Sequence, residues 1–146
     1  MRLSTFTDYS LRVLLYLSNA PQGRATIAEI ACAFAISEHH LVKVAHFLGK
    51  AGYLVNTRGR RGGLRLAQPA PGINVGKLVR LTEAGDLPAE CFDPASNTCL
   101  LAGGCGLQGA LEEALGRFYE TLERYSLADL RIAPRNRRQM LRLHQA

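Results

Sequence analysis

Residues 26–66 have the fewest ways to fold. They run as a capped helix, a short turn, a second capped helix, and two short strands joined by a glycine- and arginine-rich tip. Thr26 and Glu29 make a capping box, and Ile27, Ile30, Ala31 and Phe34 follow at helical spacing. Ala35-Ile36-Ser37 is a turn, with Ser37 placed to cap the next helix. That helix turns Leu41, Val44, Ala45 and Leu48 inward, and His39, Lys43, His46 and Lys50 share its outer face. Gly52 ends it; residues 53–57 predict a strand and residues 64–66 its return. The tip between them reads Arg58-Gly59-Arg60-Arg61-Gly62-Gly63. Glycine lets a backbone approach a phosphate closely, and arginine offers a forked donor to a phosphate or a base edge. The tip lacks the Lys-Ser/Thr ending of a nucleotide-binding loop and opens no helix. A merely solvated polar face would explain the basic helix by itself, but a hairpin directly behind it makes a helix-turn-helix with a wing. The fold class expected is mainly α with a small β-hairpin: a winged helix-turn-helix, extended by the long helix described below. Candidate contacts to a double-stranded DNA operator are Ser37, His39, His40, Lys43, Arg58, Arg60 and Arg61. The pair His39-His40 is a poor metal site, because adjacent helical residues face different ways.

Charge divides the chain the same way. Residues 1–80 hold 11 Lys/Arg against 3 Asp/Glu, residues 81–130 hold 2 against 9, and residues 131–146 hold 5 against none. A basic first half on an acidic second half suggests a polyanion-binding module joined to a module with another task. At 146 residues and 47% apolar the chain can bury a core. It has no apolar run of membrane-spanning length and no secretory start, so the expected location is cytoplasmic and no membrane partner is expected. Thiols stay reduced there, which favours metal binding over disulfides.

The acidic half contains Cys91, Cys99 and Cys105, separated by seven and then five residues. Pro94, Asn97, Gly103, Gly104 and Gly106 make this stretch a loop, able to aim three sulfurs at one point. An odd number is awkward for disulfides, and the close Cys pairs of structural zinc sites are missing. Wide spacing around glycines suits a larger inorganic core, such as an iron–sulfur cluster on thiolates, with one further ligand from elsewhere. Three unrelated loop thiols, or one redox-active pair, remain the plainer alternatives. Cys32, among Ala31, Ala33 and Phe34, is expected to be a small core residue rather than that further ligand.

The other segments support these two modules. Ser4, Thr5, Thr7 and Asp8 start a first helix, with Leu11, Leu14, Leu15 and Ser18 at helical spacing and Pro21 and Gly23 beyond its end. After Pro69, Pro71 and Gly72, residues 73–84 predict a helix. The longest helix is expected over residues 107–125, with the stripe Leu111, Leu115, Phe118, Leu122 and Tyr125, while Glu112, Glu113, Glu120 and Glu123 keep its other faces wet. A second copy of the chain would cover that stripe, giving a homodimer; packing on the chain's own winged helix is the alternative. The expected organisation is a winged helix-turn-helix over 1–68, a linker and helix over 69–90, the cysteine loop over 91–106, a dimerisation helix region over 107–132, and a basic mobile tail over 133–146, broken by Pro134.

The order of these parts resembles the iron–sulfur winged-helix regulators that include IscR. The resemblance rests on Thr-Ile-Ala-Glu-Ile-Ala from Thr26, Arg-Gly-Arg-Arg-Gly-Gly-Leu-Arg-Leu from Arg58, the three-cysteine loop and the long helix, and spans about residues 1–132. Within that family, the first twelve residues, residues 92–105 and Tyr-Ser-Leu-Ala-Asp-Leu from Tyr125 look most like the nitric-oxide-sensing repressors. The resemblance implies a homodimer on an inverted-repeat operator. It also implies a 4Fe–4S or 2Fe–2S cluster on Cys91, Cys99 and Cys105, and repression relieved when nitric oxide attacks it. The family's non-cysteine ligand would fall on Asp8, which reads equally as a first-turn acid favoured by the helix dipole. The gap between Cys91 and Cys99 is longer than in many relatives, which leaves the cluster type open. Two other regulators fit the same parts: a cluster-free repressor sensing thiols or cysteine metabolism, and an IscR-like regulator of cluster biogenesis. An enzyme or electron carrier fits worst: the chain shows no nucleophile–base set, and a carrier needs no winged helix.

Overall fold

The computed structural model describes residues 2–57, 59, 62–85, 87–130 and 132–142. Helix α1 (Thr5–Asn19) begins at Ser4, whose hydroxyl accepts from the Thr7 N–H at 3.2 Å. Strand β1 (Arg24–Ala25) precedes α2 (Ile27–Phe34), which opens on the full Thr26–Glu29 capping box. Helix α3 (Glu38–Lys50) leads to β2 (Leu54–Thr57) and β3 (Gly63–Leu66). The sheet is antiparallel in the order β1-β3-β2, with Ala25 opposite Leu64 and Leu54 opposite Leu66. Strand β1 goes beyond the expected hairpin: two residues are too short to show an alternating pattern.

Leu14, Leu17, Ile30, Leu41, Leu48, Leu78 and Leu127 are fully buried in one core that joins α1, α2 and α3 to α4 (Val75–Thr82) and to the turn Leu127–Asp129. Each such side chain contributes about 1.5–3 kcal/mol on burial. A smaller cluster forms where α5 (Gly106–Glu123) lies against α4: Val75, Val79 and Tyr119, with Leu115, Phe118 and Leu122 packed around them. The two helices are joined end to start. Asn74 caps α4 by accepting from Lys77 N, and its amide donates to the Glu123 carbonyl at 2.7 Å. Val75 N donates to Tyr125 O, and Leu127 N to Ile73 O. The long helix therefore finds part of its cover in its own chain. Glu123, expected to be wet, pairs with Arg80 at 3.1 Å, and that guanidinium lies 4.1 Å from the Tyr119 ring centre.

Two expectations are corrected. Cys32 is exposed rather than in the core, because the α2 stripe turns Ile30 and Ala31 inward and leaves position 32 outside. The segment after residue 133 is helical as α6 (Pro134–Arg142), with Met140 buried in the main core. Pro134 begins this helix instead of breaking one, since the first helical position needs no N–H. Among the described residues no helix is long and apolar enough to cross a membrane.

Candidate functional site

Helix α3 is fixed on its inner side by Leu41, Val44 and Leu48 and on its flank by Phe47, whose ring meets Phe6 of α1 edge-on at 5.1 Å. This leaves His39, Lys43, His46 and Lys50 exposed in one row. His40 stands at the edge of that row: its ring centre lies 6.2 Å from that of Tyr9 of α1 and 6.2 Å from that of His39, so it borders the face. Ser37 is exposed at the N-cap position, and its hydroxyl makes no cap bond. Val42, 50% exposed, flanks the row and is missing from the contacts expected on sequence alone. Its signal is an apolar residue outside the Leu41–Val44–Leu48 stripe, and an apolar side chain on a reading helix suits a thymine methyl group.

Arg58, Arg60 and Arg61 lie outside the described residues. The root of their hairpin is defined by Thr57 Oγ1 donating to Gly63 O at 3.1 Å and by Arg24 Nη1 donating to Gly62 O at 3.1 Å. Gly63 has φ +135°, and a Cβ there would stand 2.8 Å from Ala25 O. Its lack of a side chain is what lets β1 dock on β3.

The three loop cysteines are outside any disulfide; Cys99 is exposed, and Cys91 and Cys105 are half-buried. Glu90, beside Cys91, accepts from both the N–H and the hydroxyl of Thr98, beside Cys99, the latter at 2.6 Å. These two donors hold the Glu90 carboxyl below the usual carboxylate range. One side chain thus fastens the neighbours of the first two cysteines. Asp93 makes a second turn by accepting from Ala95 N and Ser96 Oγ. Cys105 is the N-cap residue of α5. The donor set, three thiols on one loop, is the chemistry an iron–sulfur cluster takes. Among the described residues, no three His, Cys, Asp or Glu side chains are close enough together to hold a metal ion. Asp8 faces Arg12 instead, 2.8 Å away in a half-exposed pair.

The end of α4, the helix that precedes the loop in the chain, is tied to α1. Ser4 donates through both N and Oγ to Glu83 Oε1 at 2.9 Å, and the buried Thr7 donates through Oγ1 to Thr82 Oγ1 at 2.7 Å. A buried hydroxyl left without such a bond costs about 1–3 kcal/mol, so these bonds hold the start of α1 against the end of α4.

A winged helix on one side and a three-thiol loop on the other are the two features against which known proteins can be compared. The family model of Rrf2, described as an iron-dependent transcriptional regulator, matches residues 3–132. The chain belongs to the Rrf2 family. This Rrf2 chain is 47% identical over 131 residues to the HTH-type transcriptional regulator NsrR of Geobacillus kaustophilus (strain HTA426), covering 89% of each protein. It is 44% identical over 131 residues to the protein of that name from Bacillus subtilis (strain 168), covering 89% of this chain and 90% of that one. Among solved structures it resembles CymR, the global cysteine regulator of B. subtilis, with TM-score 0.69, 23% identity and coverage of 89% and 95%. It resembles T. potens IscR equally, with TM-score 0.69, 23% identity and coverage of 89% and 85%. At these identities the structural likeness shows the fold, the winged helix of Rrf2 regulators.

Proposed function

We propose that this Rrf2 regulator is a cytoplasmic, cluster-dependent transcriptional repressor that binds a palindromic operator as a homodimer and leaves it on exposure to nitric oxide. The observation that carries the reading is the pairing of an exposed basic row on α3 with a three-thiol loop that follows α4, whose end is hydrogen-bonded to α1. Cys91, Cys99 and Cys105 would hold the cluster, with Asp8 as fourth ligand once it leaves Arg12. When bound, the cluster supplies iron centres open to attack by nitric oxide.

The chain's own residues carry the signal. His39, His40 and Lys43 meet the major groove, and Ser37, Arg58, Arg60 and Arg61 meet phosphates or the minor groove. The seam of the homodimer is the stripe Leu111, Leu115, Phe118 and Leu122, and two-fold symmetry matches two reading helices to an inverted repeat. A change in the loop's position reaches α1 through Ser4–Glu83 and Thr7–Thr82, and reaches α3 through Phe6–Phe47. Moving an equilibrium from 1:99 to 99:1 takes roughly 5.5 kcal/mol of differential binding. Thiolate–metal binding at small folded sites reaches about 10 kcal/mol or more, which is enough to set such a switch.

The test is an anaerobic gel-shift titration with cluster-loaded, apo and nitric-oxide-treated protein. Tight binding by the first alone is expected; equal affinity in all three removes nitric-oxide sensing. A cluster-free thiol sensor is the second reading, favoured by the thiols not being gathered around one point among the described residues. Anaerobically purified protein that is colourless would decide for it, and brown protein against it.

A further inference from the structure

Helix α6 lies beyond residue 132, where the Rrf2 match ends. It is docked all the same. Met140 is buried in the main core, Leu141 and Ile132 pack beside it, and Arg137 reaches the Asn19 carbonyl at the end of α1. Its sequence, PRNRRQMLR, has no acid, nor does any residue from 131 to 146. Arg135, Arg137 and Arg138 are all exposed. Arg135 and Arg138 are three apart on the helix, a like-charge spacing that disfavours it in isolation. The charge is therefore kept against its own repulsion, as a surface meant for a polyanion would be.

The partner follows from where α6 sits. It packs against α2, the first helix of the helix-turn-helix, and such a helix crosses the DNA backbone while the second enters the groove. Yet α2 reads IAEIACAF and has no lysine or arginine to hold a phosphate. We infer that α6 is a DNA-backbone clamp, in which Arg135 and Arg138, on the side of the helix away from the docked Met140, Leu141 and Arg137, contact phosphates flanking each operator half-site and supply the charge that α2 lacks. The inference rests on the DNA-binding reading above. It adds a contact that carries no base information and lengthens the footprint on each side.

The test uses the full chain and the double variant Arg135→Gln, Arg138→Gln, which leaves Met140, Leu141 and the Arg137–Asn19 contact in place. The probe is an operator that the parent selects from random duplex DNA, made in two lengths: trimmed to the half-sites, and extended a helical turn beyond each. Removing one arginine–phosphate pair lowers the slope of log K against log [salt] by about 0.9. The expected result is a slope lowered by up to about 1.8 per protomer for the variant on the extended duplex, with base preference unchanged and a smaller effect on the trimmed one. Equal slopes for parent and variant on the extended duplex overturn the clamp while leaving the DNA-binding reading intact. If the parent selects no DNA, that reading falls and the clamp with it. If the arginines matter only for binding vesicles of anionic lipid, the partner is a membrane surface and the clamp is overturned. Matching thermal melts for parent and variant show that folding is not what changed.

Discussion

Glu90 is the side chain on which the cysteine loop most depends. It is exposed, yet it gathers both donors of Thr98, across the loop, and so holds the neighbours of Cys91 and Cys99 together. Replacing it with alanine leaves a flexible glycine- and proline-bearing segment with one tie fewer. In Glu90→Ala the Thr98 amide should exchange with solvent much faster than in the parent, and Glu90→Gln, which keeps one acceptor oxygen, should fall between. Equal exchange rates in all three would show that the clamp does not order the loop in solution. At the wing, Arg60 and Arg61 are the residues proposed for phosphates or the minor groove, on a hairpin whose root Arg24 holds at Gly62 O. The double variant Arg60→Ala, Arg61→Ala should lower the operator salt slope by about 0.9 for each phosphate it no longer reaches. Parental affinity at physiological salt would move DNA contact away from the wing.

At the scale of elements, the least tolerant contact is the crossing of α4 and α5. A Cβ on Gly76 would fall 2.5 Å from the Glu123 backbone nitrogen and 2.8 Å from its Cα, neither of which can swing aside. Gly76→Ala should push α5 off α4 and cost about 1–3 kcal/mol, the usual range for overpacking. Thermal melting should show a drop of several degrees, against little change for Gly85→Ala, whose Cβ would meet nothing within 4 Å. A parental melting temperature for Gly76→Ala would mean that the two helices separate freely. The same crossing shows what the sequence could reveal. The capping box at Thr26, the α3 stripe and the hairpin are readable because each is a local pattern with a local cause. The match of Gly76 to Glu123, the pairing of Asn74 with Ser126 and the stacking of Arg80 on Tyr119 join positions far apart in the chain. No periodicity announces such contacts. Cys32 is a different case: the stripe Ile27, Ile30, Ala31 and Phe34 already leaves position 32 outside, and only its apolar neighbours in sequence suggest a core residue. Pro134 reads as a break, but proline stops a helix only when a turn already precedes it.

Taken whole, the molecule leaves an apolar margin on its acidic half. Leu87, Leu100, Leu101 and Leu107 are exposed, Leu100 completely, while Leu111 is only half covered. Leu115, Phe118 and Leu122 already pack around the cluster of Val75, Val79 and Tyr119, so charge placed there would damage the single chain as well as any seam. Leu107 and Leu111 lie nearer the start of α5, outside that cluster, and they separate the two effects. Leu107→Glu with Leu111→Glu would place two carboxylates in an apolar seam, at a cost of several kcal/mol if they are buried and unpaired. Sedimentation should show the dimer shifted toward monomer while helical content stays at the parental level. Operator binding should weaken with it, because a monomer presents one reading helix where an inverted repeat offers two sites. A double variant that remains fully dimeric would place the seam on another face of the chain.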